Sequence, residues 1–218
     1  MLSMSHDQHS EILYTPEFWD ERYGSAERIW SGNPNPQLVS VVSDLAPGSA
    51  LDVGSGEGAD AIWLASRGWD VTAVDISQVA LDRSAAIAGP LNISWELADV
   101  LDWEPGVDRY DLVSAQFMHL PPAELRDLHR RLAGAVRPGG MLLIVGHHPS
   151  DHGSTKIQRP DRAELLFTAE DVGVTLDPDL WDVAASSPSR TVLDADGQPA
   201  EIRDAVLVAV RRASSPTA

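Results

Sequence analysis

From Ala50 onward the chain alternates short apolar runs with stretches whose apolar residues recur every three or four positions. The runs at 50–53, 70–75, 93–98, 110–116 and 141–145 have the length and the Val, Leu, Ile and Ala content of buried strands. The stretches at 59–67, 77–87 and 122–136 have the helical period, with Gly68 as one stop, Ser77 as one cap and Pro138-Gly139-Gly140 as another stop. Strand and helix alternating in this way predict a parallel sheet with helices on both faces. Ahead of it, Thr15 caps a short helix with Pro16 in its first turn, carrying Phe18, Trp19, Arg22 and Tyr23. A loop from Trp30 to Pro36 leads to a second helix, 37–45, stopped by Pro47-Gly48. Near the other end, Thr168 and Asp171 suit a capping box. Strands then follow at 181–185 and 205–210, with a turn at Asp196-Gly197. With no helix between them these two strands pair antiparallel, so the sheet ends in a mixed edge. The elements make one sheet and one domain over 1–218, with lid helices in 1–47 and a core in 48–212.

Composition narrows the class of partner. With 16 Lys and Arg against 33 Asp and Glu, the 218-residue chain carries a formal charge of −17. That surface repels a polyphosphate backbone, which needs basic residues to displace its counterions, so nucleic acid is not an expected partner. There is no cysteine, which removes disulfides, thiolate nucleophiles and sulfur-based zinc sites. The longest apolar run, Met141 to Val145, is far short of the roughly 20 residues of a membrane span. Met1 to Ser10 is polar and holds no signal-peptide core, so a soluble cytoplasmic protein with no membrane partner is expected.

The chemistry concentrates after the first strand, in Asp52-Val53-Gly54-Ser55-Gly56-Glu57-Gly58. Glycines between a strand and a helix let the backbone turn tightly and let a ligand approach. Gly54, Gly56 and Ala59 also satisfy a dinucleotide fingerprint, which leaves an NAD(P)-dependent oxidoreductase as an alternative, and a glycine turn without a ligand as another. Asp75 ends the second strand, where a carboxylate accepts from two ribose hydroxyls. Asp99-Val100 follows the third strand, where a carboxylate accepts from an adenine amine and the valine packs on the ring. Asp52 discriminates between the ligands. It would repel a pyrophosphate, but attract the ammonium of the methionine part of S-adenosylmethionine (SAM).

The run Ala50 to Gly58, with Asp75, Asp99 and Arg137-Pro138-Gly139-Gly140 in that order, resembles the class I SAM-dependent methyltransferases over roughly residues 14 to 212. Phe18-Trp19-Asp20-Glu21-Arg22-Tyr23 and Trp30-Ser31-Gly32 resemble the small-molecule branch near the thiopurine and tellurite-resistance enzymes. The resemblance implies a Rossmann-like seven-stranded sheet, order 3-2-1-4-5-7-6 with strand 7 antiparallel. It also implies an N-terminal segment folded over the cofactor, with Trp19, Tyr23 and Trp30 at the pocket. The cofactor-binding set is then Trp19, Tyr23, Trp30, Asp52, Gly54, Ser55, Gly56, Gly58, Asp75, Ile76, Asp99, Val100 and Gln116, with S-adenosylhomocysteine (SAH) as product. A non-catalytic SAM-binding protein is the remaining alternative.

A cytosine-C5 enzyme needs a cysteine nucleophile, and Gln116 to Pro122 departs from the Asn- or Asp-Pro-Pro-aromatic motif of nucleic-acid amino methylation. Both point to a small acceptor, a thiol, chalcogen or hydroxyl. His119, just after the fourth strand, has a pKa range suited to a general base, or it packs or caps a neighbouring helix. His147 and His148 follow the fifth strand and point to opposite sides, which disfavours a metal and leaves one of them to line the acceptor pocket. The sulfonium of SAM is a cation that an aromatic face such as Trp19 or Trp30 would attract.

Overall fold

The computed structural model describes residues 15–152, 162–194 and 196–213; the polar start at 1–10 lies outside them. Among the described residues there are eight strands: β1 (Ser49–Val53), β2 (Asp70–Asp75), β3 (Ile93–Leu97), β4 (Tyr110–Gln116), β5 (Val136–His147), β6 (Trp181–Ser186), β7 (Ser189–Leu193) and β8 (Pro199–Arg211). Their hydrogen-bonded order is β3-β2-β1-β4-β5-β8-β6, with β7 joined to β8 off that path. This is the predicted order, with β8 in the role of the predicted seventh strand and one strand more than predicted. The chain forms two compact units that divide between Glu104 and Pro105.

In the first unit, β1 and β3 each pair parallel with β2. Helix α1 (Pro16–Gly24) starts as expected, with the Thr15 hydroxyl accepting from the Phe18 N–H at 3.2 Å. Helix α2 (Pro36–Val42) is capped by Asn35, and ends earlier than predicted. Helix α3 (Ala59–Ser66) packs on all three strands, and α4 (Gln78–Ala88), capped by Ser77, packs on β2, β3 and α1. Leu51, Val53, Leu64, Val71, Ala73 and Val74 are buried. Each such aliphatic side chain as large as Leu64 contributes about 1.5–3 kcal/mol on burial.

In the second unit, β4 and β5 are parallel, and α5 (Pro122–Ala135) packs on both. Leu128 and Leu132 of α5 and Leu142 to Val145 of β5 form its core. Strand β5 starts at Val136 and takes in Pro138-Gly139-Gly140, which sequence reading gives to a helix stop. A register shift between Tyr110 and Leu112 accommodates the extra residues. Strand β8 is antiparallel to both β5 and β6. Helix α6 (Ala169–Gly173) has the predicted capping box between Thr168 and Asp171.

The expected turn at Asp196-Gly197 is present, but it joins β7 to β8 rather than β6 to β8. Strand β7 escapes sequence reading because Ser189-Arg-Thr-Val-Leu has no apolar run; its residues alternate between exposed and half-buried. Among the described residues no helix is long and apolar enough to cross a membrane.

Candidate cofactor cradle and acceptor-side residues

The loop after β1 is held by its glycines in a conformation that side chains rarely adopt: φ is +70° at Gly54, +52° at Gly56 and +76° at Gly58. The N–H groups of Gly54 and Ser55 both donate to the Val74 carbonyl of β2, at 2.8 and 3.0 Å. A Cβ on Gly56 would lie 2.8 Å from the Tyr23 hydroxyl; one on Gly58 would lie 2.8 Å from Ser84 and Trp95. The two glycines are therefore needed for different reasons, Gly56 for the surface under Tyr23 and Gly58 for helix packing.

Asp52, Asp60 and Asp75 surround this loop. Asp52 is 3% exposed, and its Oδ2 has no hydrogen-bond partner, nor has the buried Ser55 hydroxyl. Burial, then the charges of Asp60 and Asp75, push the Asp52 carboxyl well above the usual range. Burial also pushes Asp60 up to about 6, although the Asn35 N–H donates to it at 2.6 Å. Asp75, likewise raised by burial, accepts from the Gly56 N–H at 2.7 Å and the Ser77 N–H at 2.9 Å. A buried carboxyl oxygen without a donor is a costly arrangement unless a cation or donor arrives there. The ammonium of SAM suits Asp52, and a pyrophosphate does not.

The N-terminal segment is fastened to this loop. Glu57 accepts from the Ile29 and Trp30 N–H groups and pairs with Arg83 at 3.4 Å. Asp20 accepts from the Ser77 hydroxyl at 2.6 Å. The Trp30 indole donates to the Tyr23 hydroxyl at 3.2 Å. Trp30 is nevertheless 48% exposed, while Tyr23 is buried. Arg22 sits 5.5 Å from the Trp30 ring centroid and 5.9 Å from that of Trp19. A cation of the protein itself therefore already uses these aromatic faces, which the sequence expectation gave to the sulfonium. Asp99 accepts from the Leu101 N–H at 2.9 Å, Val100 is buried, and Ile76 is half-buried.

The remaining expected residues belong to the second unit. Gln116 donates to the Ser114 hydroxyl at 3.1 Å. Phe117, the next residue, has φ +53°, which is unusual for a bulky side chain. Its ring lies 4.4 Å from that of His147, and His147 stacks 5.3 Å from His119, so three rings form a row. His148 faces away from this row. Its Nδ1 accepts from the Ser150 N–H and caps the turn at Pro149–Asp151, so it is committed to local structure. Among the described residues no group of acids and histidines is arranged to hold a metal.

Sequence reasoning missed Glu57, Asp20, Asp60, Arg22 and Phe117. The one available signal was a charged residue, Glu57, between two obligatory glycines.

Residues 50–140 match a methyltransferase domain. The chain is 25% identical over 185 residues to the 2-heptyl-1-hydroxyquinolin-4(1H)-one methyltransferase of Mycobacteroides abscessus, covering 79% of this chain and 77% of that protein. It is 28% identical over 136 residues to the probable thiol methyltransferase 2 of Arabidopsis thaliana, covering 58% and 60%. In fold it is similar to DhpI, solved as a complex with SAH, with a TM-score of 0.62, 18% identity, and 95% and 99% of the two chains covered. The nicotinamide and non-catalytic alternatives fall away with these matches. The chain carries a methyltransferase domain over residues 50–140 and is an enzyme similar to the SAM-dependent methyltransferases.

Proposed function

We propose that this enzyme methylates a small-molecule thiol or hydroxyl. In this reading Asp52, Gly54, Ser55, Gly56, Gly58, Asp75, Ile76, Asp99 and Val100 cradle the cofactor, and His119 serves the acceptor. The observation that carries the cofactor assignment is the buried Asp52 Oδ2 without a partner beside the glycine loop. The formal charge of −17 disfavours a polyanionic acceptor. The hydroxyquinolone and thiol methyltransferases among the relatives support a small acceptor.

Bound SAM supplies an activated methyl group on a cationic sulfur, for in-line attack by an acceptor lone pair. Asp52 would hold the ammonium, Asp75 the ribose, and Asp99 with Val100 the adenine. Orientation of this kind contributes about 7–11 kcal/mol of barrier reduction at best. His119 takes the proton of a hydroxyl acceptor as its oxygen attacks, and the ring row of Phe117 and His147 restrains its orientation. A thiol, with a pKa near 8.5, is deprotonated enough to need little such help.

The test is product analysis with SAM and a panel of thiols and hydroxylated aromatics. Wild type and His119→Gln are compared, with RNA and protein acceptors in parallel. Turnover of hydroxyls should fall about 10²–10⁴-fold in the variant, and of thiols much less. Methylation confined to RNA or protein would overturn the proposal. Equal, small effects on every acceptor would remove His119 as base.

A further inference from the structure

Glu57 lies between the second and third glycines of the loop, yet its carboxylate is engaged by the N-terminal segment and Arg83. Its side chain is 5% exposed. Oε2 accepts from the Ile29 N–H at 3.1 Å and the Trp30 N–H at 3.0 Å; Oε1 lies 3.2 Å from the Ile29 nitrogen and 3.4 Å from Arg83 Nη1. Two consecutive backbone N–H groups converging on one buried carboxylate fix the peptide that carries Trp30. The Trp30 indole in turn donates to Tyr23, whose hydroxyl lies over Gly56. The Gly56 N–H donates to Asp75. Hydrogen bonds from Glu57 through Trp30 to Tyr23, the close approach of the Tyr23 hydroxyl to Gly56, and the Gly56 bond to Asp75 thus link the segment before β1 to the acid at the end of β2.

We propose that Glu57 is a positioning residue for methyl transfer: its carboxylate fixes the Ile29–Trp30 peptide, and so seats Trp30 and Tyr23 against the cofactor loop. The proposal rests on the cradle reading given above. In this reading Glu57 acts on the cofactor through Trp30 and Tyr23. The Asp60 bond to the Asn35 N–H and the Asp20 bond to Ser77 fasten other points of the same segment, so the segment stays attached without Glu57 and loses chiefly its seating at Trp30. A glutamine does not substitute, since its amide group turns a donor toward donors and drops the charge opposite Arg83.

The experiment uses the full chain and two variants, Glu57→Gln and Glu57→Ala, with exposed Glu27→Gln as control. Three quantities are read: amide exchange at residues 29 and 30, SAH affinity by calorimetry, and KM for SAM against kcat. Both Glu57 variants should lose amide protection at 29 and 30 about tenfold or more. SAH should bind about tenfold more weakly, and KM for SAM should rise more than kcat falls. The control should match wild type. Lost protection with unchanged SAH affinity and KM overturns the proposal, as does retained protection. Failure of SAH to bind wild type overturns the cradle reading instead. If neither Glu57 variant folds, Trp30→Phe decides: it keeps both backbone N–H groups on Glu57 and removes the indole donor to Tyr23. Weaker SAH binding there supports the path, and unchanged binding overturns it.

Discussion

The Gly56 N–H donates to Asp75 Oδ2 at 2.7 Å, so the turn after β1 and the acid that ends β2 are one structural unit. The other oxygen, Oδ1, accepts from the Ser77 N–H at 2.9 Å, at the entrance to α4. Sequence reading gives Asp75 only a ribose-binding role. At 6% exposure, with two backbone donors, it is a buried link that also retains lone pairs for a ribose.

Asp75→Ala should therefore lower both stability and cofactor affinity. Two buried N–H groups lose their acceptor, at a cost of roughly 1–3 kcal/mol each where water does not reach them. Thermal unfolding and SAH titration of Asp75→Ala and Asp75→Asn check this. An alanine variant as stable as wild type would contradict the structural half.

Gly56→Ala should be poorly tolerated, because φ +52° is unfavourable for alanine and its Cβ would meet the Tyr23 hydroxyl at 2.8 Å. The backbone part alone costs about 1–2 kcal/mol. Gly24, where an added Cβ meets nothing within 4 Å, is the matched control. Gly24→Ala should leave SAH affinity intact, while Gly56→Ala abolishes it.

Trp30→Ala should weaken SAM and SAH by similar factors. Arg22, 5.5 Å from the Trp30 centroid, already takes the cation–π role, so the indole contributes mainly packing and its bond to Tyr23. Calorimetry with the two ligands decides. A loss confined to SAM would show that Trp30 favours the sulfonium after all.

Asp60 and His129 give stability slopes of opposite sign. Asp60, raised to about 6, contributes stability that is present below the ordinary carboxylate range and lost as pH rises through about 6. His129, which burial lowers to about 4, does the reverse: its contribution is present above the ordinary histidine pKa and lost as pH falls through about 4. Asp52 and Asp75, also raised by burial, share the sign of Asp60, so wild-type stability should fall as pH rises from 4 to 6, with His129 offsetting part of the fall. His129→Phe should steepen it, read as denaturant midpoints falling faster with pH. A flat profile in that variant would show that these carboxyls are not raised.

Asp52 makes a related prediction for binding. Burial raises the Asp52 carboxyl and a bound ammonium would lower it, so SAM binding should release protons and strengthen as pH rises above the ordinary carboxylate range. Calorimetry in two buffers of different ionisation enthalpy measures the protons. Asp52→Asn should abolish the release.

The strand order and the glycine loop were legible because both are local. Strand and helix differ in hydrophobic period, and positive φ selects glycine at 54, 56 and 58. What was not legible depends on distance. Glu57 meets residues 27 and 28 positions away, and nothing in the local pattern distinguishes a buried, partnered glutamate from a solvated one. Likewise His147 and His148 look alike in sequence, and only the alternation of the chain past β5 sends one into a ring row and the other into a cap. Strand β7 was invisible because an exposed hairpin arm needs no apolar run.

Strand β8 sets the order in which the second unit is completed. Among the described residues β6 and β7 find their ladder partners only on β8, and the outer edge of β5 is closed by it as well. As synthesis proceeds, β6, β7 and the outer edge of β5 wait unpaired until residues 199–211 have left the ribosome. Late closure by distant residues implies slow folding. A chain stopped before Pro199 should expose three unsatisfied strand edges together, the condition under which strands pair between molecules.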